Sequence, residues 1–470
     1  MRDPLERRIR QATVTRWRSV GCLGLLLAGC SAPAAPIDQD ELVQKVQTRE
    51  ASLQQTVQAL QLSGLEPLFG RRPTGSEKDL DDPGFWHACA WAYAPGPIAA
   101  RRDYYSARAA RRSAGAPGPI GVGTETLDWG DPGRDTQVRL TFDLLGILGL
   151  GRSGAVADLA VATERQALGR LEQAVWSARF DVDRARVSVA ASRMRLAILE
   201  TLSQEVAKAT TRIDILDERG WIPSDRAAAA RAMTERLHRR QARTETVLAE
   251  DLARLSKAAG LPPSSDSLTE LTSATLAHYE PLSELPPLPT ATALLDRHPL
   301  LRARQLDYAL AEARIQRAAA EAWPDIRIGP RLRFLPSDTL TGGILDVALP
   351  WPGSVQGYVD AAVQERTKAG ELLENALVAQ LADAKSRRRA LREALRTARL
   401  QGPAIEAGTG EAWKAAQARF AADPASLPMW TDRLERRIAG VVAAIDAREQ
   451  VILALLCYQE ACGPDREKSP

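Results

Sequence analysis

Residues 168–213, LGRLEQAVWSARFDVDRARVSVAASRMRLAILETLSQEVAKATTRI, lie at the centre of a run from Ala155 to Arg219 that holds no proline. As an α-helix this run of ~65 residues is roughly 100 Å long, more than a compact core needs. Leu168, Val175, Val182, Val189 and Leu196 fall seven apart, and Leu171, Ala178, Ala185, Leu199, Val206 and Ile213 fill the partner positions of the heptad. A hydrophobic period of 3.5 predicts a supercoiled seam with a second helix. Ser192, Ser203 and Thr210 interrupt that seam, which predicts looser packing towards its far end.

The second helix is the next stretch of chain. Gly220-Trp221-Ile222-Pro223-Ser224-Asp225 supplies a glycine to end one helix and Ser224 or Asp225 to cap another. Arg226 to Ala259 is again free of proline and spaces Met233, Leu237, Val247, Leu248, Leu252 and Leu255 for burial. So short a connection makes the two helices antiparallel neighbours. Upstream the period changes to two. Val138, Leu140, Phe142 and Leu144 alternate with Arg139, Thr141 and Asp143, and Ile120, Val122 and Thr124 form a weaker strand before them across Gly130-Asp131-Pro132-Gly133. Residues 118–150 therefore read as a β-hairpin with one apolar and one polar face.

The same order then returns. Pro299 to Ala322 is helical; Ile326, Ile328, Leu332 and Phe334 alternate with Arg327, Arg331 and Arg333; and Leu345, Val347 and Leu349 follow a turn at Pro336 to Gly342. This second hairpin spans residues 325–350, with Pro330 expected at a bulge or an edge. From Ser354 the chain is helical, with a break expected at Gly402-Pro403, and it reverses near Asp423-Pro424 into a last helix with Ile438, Ile445 and Ile452 seven apart. Glu164-Arg165 and Glu365-Arg366, Leu171 and Leu372, and Pro223 and Pro424 share one offset, which predicts an internal two-fold repeat. The expected division is 38–260 for the first repeat, 261–290 for a Pro/Ser-rich linker, 291–463 for the second repeat and 464–470 for a tail. An amphipathic helix is expected from Ile37 to Leu65, capped by Asp38 or Asp40, and a second from Phe85 to Arg112, broken at Pro95-Gly96-Pro97.

The chain has 470 residues and a formal charge of +3, with 45% apolar and only 5% aromatic residues. Six arginines against Asp3 and Glu6 place most of the positive charge in the first 29 residues, so the remainder carries no basic surface for nucleic acid. That beginning reads as an export signal, an arginine-rich start followed by a short apolar run from Val20 to Ala28. Leu27-Ala28-Gly29-Cys30 resembles the bacterial lipobox, so residues 1–29 are expected to be removed, Cys30 acylated and 30–37 a linker. Ser31, in place of an aspartate, points to the outer membrane. His87, His238, His278 and His298 are scattered and the remaining cysteines lack metal-ligand spacing. No metal site, cofactor or catalytic residue is assigned: Gly-x-Ser-x-Gly, His-Glu-x-x-His and a paired-carboxylate constellation are all absent. A Cys457–Cys462 bridge requires the last helix to end between them.

Two two-stranded hairpins cannot close a sheet in lipid, so membrane insertion would require strands from identical copies. The organisation resembles the TolC-type outer-membrane factors. The resemblance rests on Phe142-Asp143-Leu144-Leu145-Gly146, His298-Pro299-Leu300-Leu301-Arg302-Ala303, Ala322-Trp323-Pro324, Leu349-Pro350-Trp351-Pro352 and the turn at Gly220 to Asp225. It implies a mainly α fold of long antiparallel coiled-coil helices, two hairpins per chain and a trimeric 12-stranded β-barrel. It also implies an outer-membrane duct of a tripartite efflux or type I secretion system, with a periplasmic adaptor (membrane fusion) protein, an inner-membrane pump and outer-membrane lipid as partners. The Phe142 to Gly146 and Pro350-Trp351-Pro352 wordings resemble the cation or heavy-metal branch. Pro95-Gly96-Pro97, Ala422 at the second tip turn and Pro428 depart from the family pattern. In such a duct Arg139, Asp143, Arg327, Arg331 and Arg333 would line the lumen. Gly220, Asp225, Asp423 and Asp432 would lie at the periplasmic tip and gate. The competing reading is a lipid-anchored periplasmic coiled-coil scaffold that conducts nothing.

Overall fold

The computed structural model describes residues 38–53, 55, 56, 80, 83–114, 121–128, 134–144, 151–271, 276, 285–335, 339–349 and 352–464. The expected signal peptide and Cys30 lie outside these. The chain divides after Thr48. The first unit contributes α1 (Gln39–Gln47), whose N-terminal N–H groups of Asp40 and Glu41 are capped by the Asp38 carboxylate. The helix expected through Leu65 stops at Gln47, where Thr48 closes a turn, and residues beyond Thr56 fall outside the described set until Leu80.

All other elements belong to the second unit. Its main rod is α4 (Gly151–Glu218), 68 residues and roughly 100 Å long. It runs antiparallel to α5 (Ser224–Ala259). The heptad positions are the buried ones: Leu171, Val182, Val189 and Ile213 are inaccessible, and Val175, Leu199 and Val206 nearly so. The polar interruptions do not loosen the seam as the spacing predicted. Ser192 is fully buried and donates to the buried Asp251 carboxylate of α5 at 2.7 Å, and Thr210 meets Thr234 of α5 at 3.1 Å. A polar pair satisfied across a seam fixes its register.

The turn between α4 and α5 is closed by Gly220 at φ +66°, with the Gly220 N–H on the Asp217 carbonyl and the Trp221 N–H on the Leu216 carbonyl. Pro223 occupies the cap position of α5 with no side-chain bond, so neither Ser224 nor Asp225 caps it; both fall in its first turn. α5 ends at Gly260, φ +68°, where an added Cβ would lie 2.3 Å from the Tyr93 carbonyl oxygen. Open space surrounds Gly220. Gly220→Ala should therefore cost about 1–2 kcal/mol from its left-handed backbone alone, and Gly260→Ala distinctly more. Urea transitions of the two variants check this order.

The second rod is α9 (Pro352–Ala422), 71 residues. It is continuous through Gly402-Pro403, where a break was expected; a proline removes one backbone hydrogen bond and does not terminate a helix held on both sides. A 3-10 turn at Pro424–Ser426 leads into α10 (Leu427–Cys462), which packs along both α9 and α4. Arg184–Glu460 at 2.5 Å and Arg195–Asp446 at 2.7 Å join α4 to α10. Since α10 contains both Cys457 and Cys462, no disulfide joins them.

α2 (Pro83–Tyr93) and α3 (Pro95–Ala114) are separated at Ala94, where two prolines stop and restart the helix. α2 is almost wholly buried against α4 and α5. Its His87 meets Asp183 of α4 at 2.9 Å, both inaccessible, with Arg186 3.6 Å from the same carboxylate. The stretch expected as a linker carries α6 (Asp266–Glu270) and buries Leu268, Leu271 and Leu276 in the helical body. α7 (Ala291–Arg297) precedes α8 (Pro299–Ala320), which lies between α4 and α9. His298 caps α8: its Nδ1 accepts from the Leu300 N–H at 3.2 Å while Nε2 faces the Glu460 carbonyl at 3.1 Å.

The strands β1 (Gly121–Asp128), β2 (Arg134–Asp143), β3 (Asp325–Phe334) and β4 (Thr339–Ala348) form one antiparallel sheet in the order β1-β2-β3-β4. The two hairpins are thus joined through β2 and β3. β4 begins at Thr339, so Gly342, expected in a turn, stands inside the strand. Pro330 is neither at an edge nor at a bulge. Arg139 pairs with Arg331 and Phe142 with Ile328, while the rungs between them are missing and the register resumes unchanged. The missing N–H of Pro330 faces β2 there.

Candidate channel wall and helical tip

The pairing register sorts the sheet into two faces. Val122, Val138, Leu140, Phe142, Ile326, Ile328, Leu332, Phe334, Leu345 and Val347 share one of them. Arg139, Asp143, Arg327, Arg331 and Arg333 share the other, along with Glu125, Gln137 and Asp346. All five residues singled out for the lumen are therefore brought onto one surface. Their exposure is not that of a sheet packed on its own helices. On the apolar face Val122 is 67% and Leu345 70% exposed, with Leu332, Phe334 and Val347 also open, while on the charged face Glu125, Arg139, Arg327 and Asp346 are exposed, Arg331 and Arg333 half-buried and Gln137 buried. The described helices leave this apolar surface uncovered. Contiguous exposed apolar area of this kind marks an interface with lipid or protein.

The charged face is organised in rows. Asp143, Arg327 and Asp346 stand side by side, and Arg327 also reaches Asp325 at 2.8 Å. Glu125, Gln137, Arg333 and Leu340 make another row, and Gly123, Arg139, Arg331 and Gly342 stand between the two.

Away from the sheet, the turn at Gly220 and the turn at Asp423 meet. Ile213, Leu216, Ile222, Met233 and Leu237 from α4–α5 share one cluster with Trp413, Phe420, Leu427, Trp430 and Leu434 from α9–α10. Trp430 stacks near both Trp413 and Phe420, at 5.7 and 5.6 Å between ring centroids. Arg437 lies over Trp413, Arg212 lies over Phe420, and Glu205 accepts from the Trp413 Nε1–H at 3.2 Å. Among the tip candidates, Gly220 closes its turn and Asp423 accepts from the Ala425 N–H at 2.9 Å as a cap. Asp432 pairs with Arg436 at 3.0 Å within α10, and Asp225 is exposed in the first turn of α5. The four are at one end of the rods, but the three carboxylates form no cluster. The aromatic group was missed from sequence; its only signal was the concentration of Trp413, Phe420 and Trp430 in an aromatic-poor chain.

No protein-family model and no curated protein matches the sequence. Solved structures do match. The MtrE outer-membrane channel of Neisseria gonorrhoeae in its open state aligns at TM-score 0.65 and 16% identity over 80% of this chain and 88% of its own. A membrane protein from Pseudomonas aeruginosa aligns at 0.64 and 17% over 80% and 92%, and the outer membrane protein VceC of Vibrio cholerae at 0.62 and 13% over 81% and 96%. The chain has the fold of the TolC-type outer-membrane channels.

This TolC-type fold accommodates the departures noted above. The second tip turn has alanine at 422 and needs no left-handed residue, because the Asp423 cap and the 3-10 turn reverse the chain with negative φ throughout. Pro428 falls in the first turn of α10, where a missing N–H costs nothing. Among the described residues no helix is long and apolar enough to cross a membrane, and no group of histidine, cysteine or carboxylates is arranged to hold a metal.

Proposed function

We propose that this protein is the outer-membrane channel of a tripartite efflux or type I secretion system, conducting substrates without chemistry. One observation carries the reading: the sheet segregates an apolar face from a charged one and leaves the apolar face as open as the charged one, as a wall segment between lipid and a water-filled pore requires. The outer strands β1 and β4 each keep one unpaired edge in a sheet of four, and a barrel in lipid has none. Three copies, each giving four strands, close a 12-stranded barrel continued by the helices as a tunnel. The ion pairs Arg111–Glu164 between α3 and α4 and Arg314–Glu365 between α8 and α9, both 2.7 Å, support descent from a duplicated unit. An adaptor protein bound at the Gly220 and Asp423 turns would open the tip, with Asp225, Asp423 and Asp432 at its mouth. Acylation of Cys30 holds the chain to the outer membrane.

A scaffold without a pore would bury its sheet. Full-length protein extracted from the outer membrane should run as a trimer that heat dissociates, and it should conduct in planar bilayers. A monomer with no conductance returns the scaffold reading. Cys30→Ser should abolish incorporation of labelled palmitate while leaving the trimer intact.

A further inference from the structure

The row Gly123–Arg139–Arg331–Gly342 differs from its neighbours. Arg327 has Asp325 at 2.8 Å and stands between Asp143 and Asp346, so its charge is locally offset. Arg333 shares its row with Glu125. Arg139 and Arg331 are directly opposite one another on paired central strands, and neither makes an ion pair with a described residue. Like charges facing each other across a strand pair are destabilising, and among the described residues no carboxylate pairs with either. The two flanking glycines give these side chains room. A Cβ at Gly123 would stand 2.6 Å from the Arg139 Nε, so the guanidinium stem occupies the place of a side chain there, and the space at Gly342 beside Arg331 is open. Paired guanidiniums, one exposed and one half-buried, with no carboxylate in their row, suit a planar oxyanion held by two-point hydrogen bonds.

We propose that this row, repeated around a barrel of identical copies, is an oxyanion-selective ring, and that the substrates the channel passes carry carboxylate, phosphate or sulfate groups. The proposal rests on the channel reading and names its substrate class. It runs against the cation-efflux resemblance, since a ring of unoffset arginines repels cations.

The test is the reversal potential of the full-length protein in planar bilayers under a potassium chloride gradient, followed by inorganic phosphate added on one side. The wild type should prefer chloride over potassium, and phosphate should reduce the chloride current. Arg139→Gln with Arg331→Gln should lower the chloride preference severalfold and remove the phosphate effect. If the double variant does not assemble, Arg331→Gln alone is read by the same criterion, with a smaller shift in the same direction. Conductance without anion preference, or a preference that neither variant moves, overturns the ring. A properly assembled trimer that carries no current overturns the channel reading instead.

Discussion

Trp413→Ala is expected to destabilise the protein by about 3–5 kcal/mol, the range for removing a large aromatic from a packed core. The indole is 1% exposed and lies 5.7 Å from the Trp430 ring. Its Nε1–H donates to Glu205 of α4 while Arg437 of α10 covers its face. Truncation therefore removes apolar contact between the two helical hairpins and strips Glu205 of its indole donor. Because the cluster is confined to the tip, the loss should be local as well as global: limited proteolysis should cut near the Gly220 and Asp423 turns before the rest of the rods. Trp221→Ala is the comparison. Trp221 is 65% exposed on the same turn, and its loss should change stability by no more than about 0.5 kcal/mol. Equal proteolysis of the two variants would show that the aromatic cluster does not hold the tip together.

Asp183→Asn is expected to cost about 3–5 kcal/mol at neutral pH, as when one partner is removed from a buried charge group. Burial alone would raise the Asp183 pKa, but the charge and hydrogen bond of His87, then Arg186 and Arg179, outweigh it and hold the carboxyl below its ordinary value. A depressed carboxylate pKa stabilises the fold above the unfolded value, near 4, and that stability fades as pH falls through the lower folded value. The wild-type advantage over Asp183→Asn should thus be full at pH 7 and shrink below about pH 4. Urea midpoints of detergent-solubilised protein at several pH values measure it. An advantage that grows on acidification would exclude the carboxylate as the charged member of the group.

The rods and the hairpins were legible because their signals are local. Seven-residue spacing from Leu168 to Leu196 fixes a buried stripe, and two-residue alternation around Arg139 and Arg331 fixes a face. What local pattern does not encode is which polar group meets which across a seam. Ser192 looked like a flaw until Asp251, 59 residues on, was placed against it. His87 and Asp183 lie on helices far apart in sequence and carry no motif. The usual rule puts Pro330 at a bulge or an edge, yet the chain accepts a lost rung in a central strand. Gly402-Pro403 likewise does not stop α9, which runs on through the pair. The candidate site divides the same way: the wall residues came from alternation, the tip cluster from long-range packing that spacing cannot reveal.

The bare borders of β1 and β4, with a greasy surface between them, set a rule for biogenesis. A newly made copy is an unfinished object in water, able to stick to any other exposed strand it meets. In the proposed barrel, its survival would depend on the speed with which sister copies and bilayer arrive, or on an escort that shields it meanwhile. Substitutions in these strands should consequently register first as scarcity in the cell, with the few molecules that mature behaving normally.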